Sequence, residues 1–158
     1  MALISKGKVI ADVWQYAGVE GPLADKAIVP LERISEASGN FGVLLPNSTE
    51  VETIKPYLGK LALIAINFPA FTDGRGFSLA RLIRRAGFGG ELRAFGNVLP
   101  DQYASALACG FDTIEISPER ALRQPESNWT AAFAARDLAY QRGYDNTGSI
   151  LDRRRAAK

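Results

Sequence analysis

The residues best equipped for chemistry lie together in Thr72-Asp73-Gly74-Arg75-Gly76-Phe77-Ser78. Two glycines let a backbone approach a ligand closely, and their N–H groups can turn toward an anion. Arg75 adds a planar guanidinium fork suited to phosphate, sulfate or carboxylate. The stretch follows the most apolar run of the chain, Leu61 to Phe68, and precedes a helical pattern beginning near Leu79. The first N–H groups of such a helix lack internal partners and carry partial positive charge. Thr72, Gly74, Arg75, Gly76 and Ser78 are therefore expected to bind a small anion. Asp73 is the candidate for acid–base work, provided burial or a partner tunes its pKa. A plainer arrangement uses the same residues: Thr72, Asp73 or Ser78 caps the helix while Arg75 pairs with Asp73. Gly74-Arg75-Gly76 lacks the third glycine of the dinucleotide fingerprint, since Leu79 stands there, and no Walker lysine motif occurs.

Further candidates stand where other strands are expected to end. Asn47 and Ser48 follow one strand pattern, Asn97, Asp101 and Gln102 another, and Ser117 and Glu119 a third. Asp101 equally suits the dipole of a helix start behind Pro100. Glu115 is a charge inside an apolar strand pattern. It is either a general acid or the partner of a neighbouring arginine such as Arg93. Cys109, on a small apolar helix face before Gly110, reads as a packing residue more readily than as a reactive thiol. Trp129, Phe133 and Tyr140 suit core or dimer contacts better than a cofactor box.

The composition removes whole classes of chemistry. The 158 residues include no histidine and one cysteine. Histidine triads, the usual histidine base and the common zinc sites are excluded within one chain, and so is an iron–sulfur cluster. No intrinsic haem, iron–sulfur or zinc site is expected, and no metal-ligating set is assigned. Catalysis would rest on Asp, Glu, Lys, Arg, Tyr, Ser or Thr, with or without a bound cofactor. A net charge of +2 is too small to argue for nucleic acid. No run reaches the roughly 18 apolar residues of a membrane span. Met1 to Ile10 carries lysines and no long apolar stretch, unlike a secretory signal. The single cysteine fits a reducing compartment, so a cytoplasmic location is expected.

These residues need elements to hold them. Leu3-Ile4 and Val9-Ile10 flank Ser5-Lys6-Gly7-Lys8, the pattern of a short antiparallel hairpin. Residues Val13 to Asp25 read as a loop, Ala27 to Val29 as a short strand, and Pro30 to Ala37 as a helix. Phe41 to Leu45, Leu61 to Asn67, Glu91 to Gly96 and Asp112 to Ile116 read as strands. Between them, Thr49 and Glu52 have capping-box spacing ahead of a helix that Pro56 keeps short. Leu79, Leu82, Ile83 and Ala86 give one apolar face of the next helix. Pro100 to Cys109, a short stretch from Glu119, and Ser127 to Tyr140 complete the helices. Residues 1–143 are expected to form one α/β domain, with a polar, basic tail over 144–158. Alternating β and α patterns with short connections predict an open, mainly parallel sheet of four or five strands, flavodoxin-like or a half-barrel of βα repeats. Parallel strands would gather the candidate residues at one carboxyl edge.

Several blocks also resemble an uncharacterised bacterial family, domain of unknown function family nine-three-four. They are Ala65-Ile66-Asn67-Phe68-Pro69-Ala70-Phe71-Thr72-Asp73-Gly74-Arg75-Gly76-Phe77-Ser78, Gly90-Glu91-Leu92-Arg93-Ala94, Val98-Leu99-Pro100-Asp101-Gln102 and Cys109-Gly110-Phe111-Asp112. Weaker similarity extends to Ile28-Val29-Pro30-Leu31. Asn97 departs from the family pattern, where an aspartate is common. Members are usually encoded beside the assimilatory sulfite or nitrite reductase haemoprotein and labelled as oxidoreductases of sulfite reduction. The resemblance implies a place in sulfur assimilation. Sulfite reduction needs sirohaem with an iron–sulfur cluster, or an equivalent electron supply, which one cysteine and no histidine make implausible for this chain. An accessory protein is therefore expected, binding a small oxyanion, an intermediate or the reductase. The alternatives are a carboxylate-dependent enzyme or oxidoreductase component acting on a sulfated or phosphorylated metabolite, and a non-catalytic interaction module using Ser127 to Tyr140 and the tail. A homodimer is compatible with each.

Overall fold

A computed structural model describes residues 1–36 and 40–136. In chain order the elements are β1 (Ala2–Ser5), β2 (Lys8–Ile10), β3 (Gln15–Tyr16), β4 (Ala27–Pro30), β5 (Phe41–Pro46), α1 (Val51–Ile54), β6 (Leu61–Phe68), α2 (Arg75–Arg85), β7 (Glu91–Gly96), α3 (Tyr103–Ala108), β8 (Thr113–Ile116), α4 (Pro118–Arg123) and α5 (Glu126–Ala135). Short 3-10 turns sit at Leu31–Arg33, Lys55–Tyr57 and Pro100–Gln102.

The fold is α/β, but the sheet is larger than the four or five strands expected. Eight strands form one mixed sheet in the order β2-β1-β8-β7-β6-β5-β4-β3. The run from β3 to β8 is parallel throughout. The expected N-terminal hairpin forms, with Lys6 and Gly7 both at positive φ in its turn. That hairpin does not stand apart. It adds to the sheet through an antiparallel pairing of β1 with β8, Leu3 opposite Glu115. Strand β3 lies inside the stretch expected to be a loop, because a two-residue strand leaves no readable alternation.

Strand order among the parallel strands follows chain order without reversal, so each right-handed crossover steps the same way. A flavodoxin-like order would reverse. Crossovers of one hand and one direction place the helices on one face. There Ile54, Leu79, Ile83, Tyr103, Ala106 and Trp129 pack on Val29, Val43, Leu45, Ile64, Ile66, Leu92, Ala94, Ile114 and Ile116. Ile28, Leu63 and Ala65 form a smaller cluster, packed with Trp14, Leu44 and Phe95.

The sheet is strongly curled. Ile10 ends one edge strand and Gln15 begins the other, and five residue steps span at most about 18 Å. A flat sheet of eight strands would separate those edges by seven gaps of about 4.8 Å, roughly 34 Å. Tyr16 on β3 accordingly reaches Phe95 on β7, with ring centroids 5.2 Å apart, and Glu115 on β8, with its hydroxyl donating at 2.6 Å.

Helix boundaries differ in instructive ways. Helix α2 begins at Arg75, earlier than its apolar periodicity, because Phe77 and the buried Gly76 belong to its first turn. Glu50, not Thr49, stands before α1, and the Thr49 hydroxyl donates back to the Pro46 carbonyl at 2.7 Å, so the capping box does not form. Of the helix expected over Pro30 to Ala37, the described residues, through Glu36, form one 3-10 turn at Leu31–Arg33, and Ala37 lies outside the described residues. Helix α5 starts at Glu126, while Tyr140 and residues 144–158 lie outside the described residues. Trp129 and Phe133 pack on Tyr103, with ring centroids 5.7 and 6.1 Å away, and Trp129 is a core residue. No helix of the described residues is long and apolar enough to cross a membrane.

Candidate functional site

Because β4 to β8 run parallel, their carboxyl ends share one edge, and the candidate residues meet there. Asn47 follows β5, Thr72 to Ser78 follow β6, Asn97 follows β7, and Ser117 follows β8. Cross-loop hydrogen bonds join them. Asn97 Nδ2 donates to the Pro69 carbonyl at 2.7 Å, and Gln102 Nε2 donates to the Phe71 carbonyl at 2.7 Å. Gln102 Oε1 also accepts from the Leu99 amide at 3.1 Å. Gly96, at φ +108, makes the close approach possible, since a Cβ there would stand 2.9 Å from the Phe68 carbonyl oxygen.

The glycine turn already contains an anion of its own. Arg75 Nε and Nη2 clamp the Asp73 carboxylate at 3.0 and 2.7 Å, and the Arg75 amide donates to Oδ1 at 3.2 Å. Those bonds, led by the Arg75 side chain, hold the Asp73 carboxyl far below the usual carboxylate range. A carboxylate held this way serves as counter-ion and helix cap more readily than as a proton donor. The plainer arrangement is thus present in the folded chain, and an external anion at Arg75 would have to compete with Asp73. Asn47 is 6 % exposed, and its Nδ2 lies beside Asp73 without reaching hydrogen-bond geometry, leaving that buried donor unpartnered among the described residues. Gly76 serves packing, because a Cβ there would lie 2.4 Å from Phe68 Cζ. Gly74 has φ −78 and open space around its Cβ position, so no steric demand explains it. Thr72, Ser78 and Asp101 are exposed.

Glu115 lies away from this edge cluster, within β8, and takes the arginine partner. Arg93 is wholly buried and meets Asp12 at 2.6 Å, Glu115 at 2.8 Å and Glu91 at 3.1 Å. Tyr16 donates to the same Glu115 oxygen, and Thr113 donates to Glu91 at 2.7 Å. Burial raises the Tyr16 hydroxyl pKa, and its bond to Glu115 raises it further. Every carboxylate of the cluster is hydrogen-bonded, which is the condition under which buried charge is tolerated.

Sequence reasoning missed Arg120. It lies on α4, half-buried, and its Nη2 makes a short hydrogen bond to Asn97 Oδ1. Arg33, Arg75, Arg84, Arg93 and Arg123 each meet a carboxylate, whereas Arg120 makes no ion pair among the described residues. A cleft of about 330 Å³ opens beside it, lined by Asn97, Ser117, Glu119, Arg120, Arg123 and Gln124. The available signal was Ser117-Pro118, a helix cap followed by arginines three residues apart on one helical face. Ser117 Oγ does cap the helix, accepting from the Arg120 amide at 3.2 Å.

A family model described as "Bacterial protein of unknown function (DUF934)" matches residues 42–151. The chain belongs to this family. No curated protein matches it. The match runs from the second residue of β5 through β8 and takes in every loop of the carboxyl edge just described. Asp12 and Tyr16, which close the curled sheet, lie before it.

Proposed function

We propose that this member of the family is an accessory protein of sulfur assimilation that binds a small oxyanion at the carboxyl edge of its sheet. The observation that carries the site is Arg120, a half-buried residue in a cleft, whose guanidinium, among the described residues, has a neutral amide as its side-chain partner. A buried or half-buried arginine is normally matched by a carboxylate, phosphate or comparable anion. Asn97 favours the same assignment. Where an aspartate would neutralise Arg120 internally, asparagine leaves the positive charge for a ligand. The Pro69 carbonyl orients that amide so that its oxygen faces Arg120.

Placing the anion beside Arg120 shifts it from the glycine turn, where Asp73 competes. Calorimetric titration with sodium sulfite and sodium sulfate separates the two positions. Arg120→Gln is expected to abolish binding, with Arg75→Ala leaving it within about twofold. The opposite pattern would return the anion to the turn, and a wild-type protein that binds neither salt would end the oxyanion reading. The pathway is tested separately by deleting the gene. Slower growth on sulfate with normal growth on cysteine is expected, and equal growth on both removes the assignment.

A further inference from the structure

The cleft beside Arg120 is larger than the charge inside it requires. Its 330 Å³ corresponds to roughly eleven waters at about 30 Å³ each. That is the lower end of the about 300–1,000 Å³ found for small-molecule sites. A bare tetrahedral oxyanion has five heavy atoms at most and leaves most of this space to solvent. The rest of the wall is polar, with Ser117, Glu119 and Gln124 around the two arginines. Among the described residues no aromatic side chain lines it, so they offer a nucleobase no stacking surface.

The hydrogen-bond inventory of that wall points to hydroxyl groups. Ser117 Oγ accepts from the Arg120 amide, which leaves its O–H to donate. Gln124 Oε1 is taken by Asn128 Nδ2 at 2.9 Å, which leaves the Gln124 amide to donate. The exposed Glu119 carboxylate, paired with Arg123 at 2.8 Å, has acceptor capacity left over. A cation with no carboxylate partner among the described residues, surrounded by separate donors and acceptors, suits one anionic group on a hydroxylated skeleton.

We infer that the cleft binds a hydroxylated organic phosphate or sulfate ester, with its ester oxygens on Arg120 and its hydroxyls against Ser117, Glu119 and Gln124. The inference rests on the oxyanion reading above and adds to it the organic part of the ligand. Titration of the full chain with D-glucose 6-phosphate, D-glucose 6-sulfate, inorganic phosphate, inorganic sulfate and adenosine 5′-monophosphate tests it. Each hexose ester is expected to bind at least about tenfold more tightly than its inorganic anion. The tighter of the two esters identifies which oxyanion the site takes. Arg120→Gln should weaken esters and inorganic anions alike. Gln124→Ala should weaken the esters about threefold to tenfold and leave the inorganic anions unchanged. Esters that bind no better than inorganic anions would overturn this inference and leave the oxyanion reading standing. Failure of every anion would overturn both. A nucleotide that binds more tightly than the hexose esters would show that a base contributes beyond the phosphate and the ribose hydroxyls, and would overturn the assignment of the remaining space to hydroxyl groups alone.

Discussion

Arg93 is the only wholly buried cation among the described residues, and three carboxylates converge on it. Burial alone would lower its pKa, but the bonds it donates to Asp12 and Glu115 more than reverse that, so it stays charged. Removing it leaves Glu115, 1 % exposed, as an unpaired buried charge. Arg93→Ala is therefore expected to cost about 3–5 kcal/mol in urea denaturation. Adding Glu115→Gln should recover part of that loss, because an amide carries no charge to strand. A loss below about 1 kcal/mol for Arg93→Ala would mean that the network contributes little. Glu115 was legible in the sequence as a charge breaking an apolar run, and Arg93 as its neighbour on the adjacent strand. Asp12 was not, since it stands 81 residues from Arg93 and no local pattern links them. Arg120 escaped for a related reason: nothing in a sequence says which arginine is half-buried with no carboxylate beside it among the described residues.

The strand–turn–helix unit around α2 shows two glycines with opposite reasons for being there. In a helix, alanine is favoured over glycine by about 1 kcal/mol. At Gly76 that gain meets the Phe68 ring, which is 1 % exposed and wedged against Phe77 and Phe111 at centroid distances of 5.0 and 5.8 Å. Overpacking of such a core costs about 1–3 kcal/mol, so Gly76→Ala should lower the melting temperature despite the better helix former. Phe68→Leu in the same chain should restore part of it, and a double-mutant cycle without coupling would refute the contact. Gly74→Ala should leave stability unchanged or raise it by up to about 1 kcal/mol, because φ −78 and open space suit any residue. Both glycines looked alike in the sequence, as backbone freedom near an anion. Only the position of Phe68, eight residues earlier on another element, distinguishes them. The long elements with clean periodicity, β6 and the apolar face of α2, were readable. The two-residue β3 was not, because its pairing with β4 is fixed by the curl of the sheet.

Curling turns eight short strands into one nearly closed surface, and the chain between its two edges is the fastening. Residues 11–16 cross from β2 to β3, with Asp12 on Arg93 and Tyr16 on Glu115. The amides of Gln15 and Ala17 then donate to the Lys26 and Ile28 carbonyls at 3.2 and 2.9 Å, completing the β3 edge. The sequence showed parallel βα units and hence a shared carboxyl edge. It could not show closure, which depends on contacts between the first strands and the last. Burial raises the Asp12 carboxyl, but hydrogen bonds from Arg93 and the Trp14 amide outweigh it and hold the pKa below its ordinary 3.8. A carboxyl depressed by folding contributes stability that is complete above the unfolded value and is lost as pH falls through the folded one. The fastening should therefore loosen only below about pH 4. Hydrogen exchange of the Gln15 and Ala17 amides, corrected for intrinsic rates, reads this directly. Protection should hold from pH 7 to 5 and fall toward pH 3, whereas Asp12→Asn should show low protection already at pH 7 and little further change. If the variant keeps wild-type protection at neutral pH, Asp12 does not hold the edge, and the curl must be maintained by Tyr16 and the packing of Trp14 and Phe95 alone.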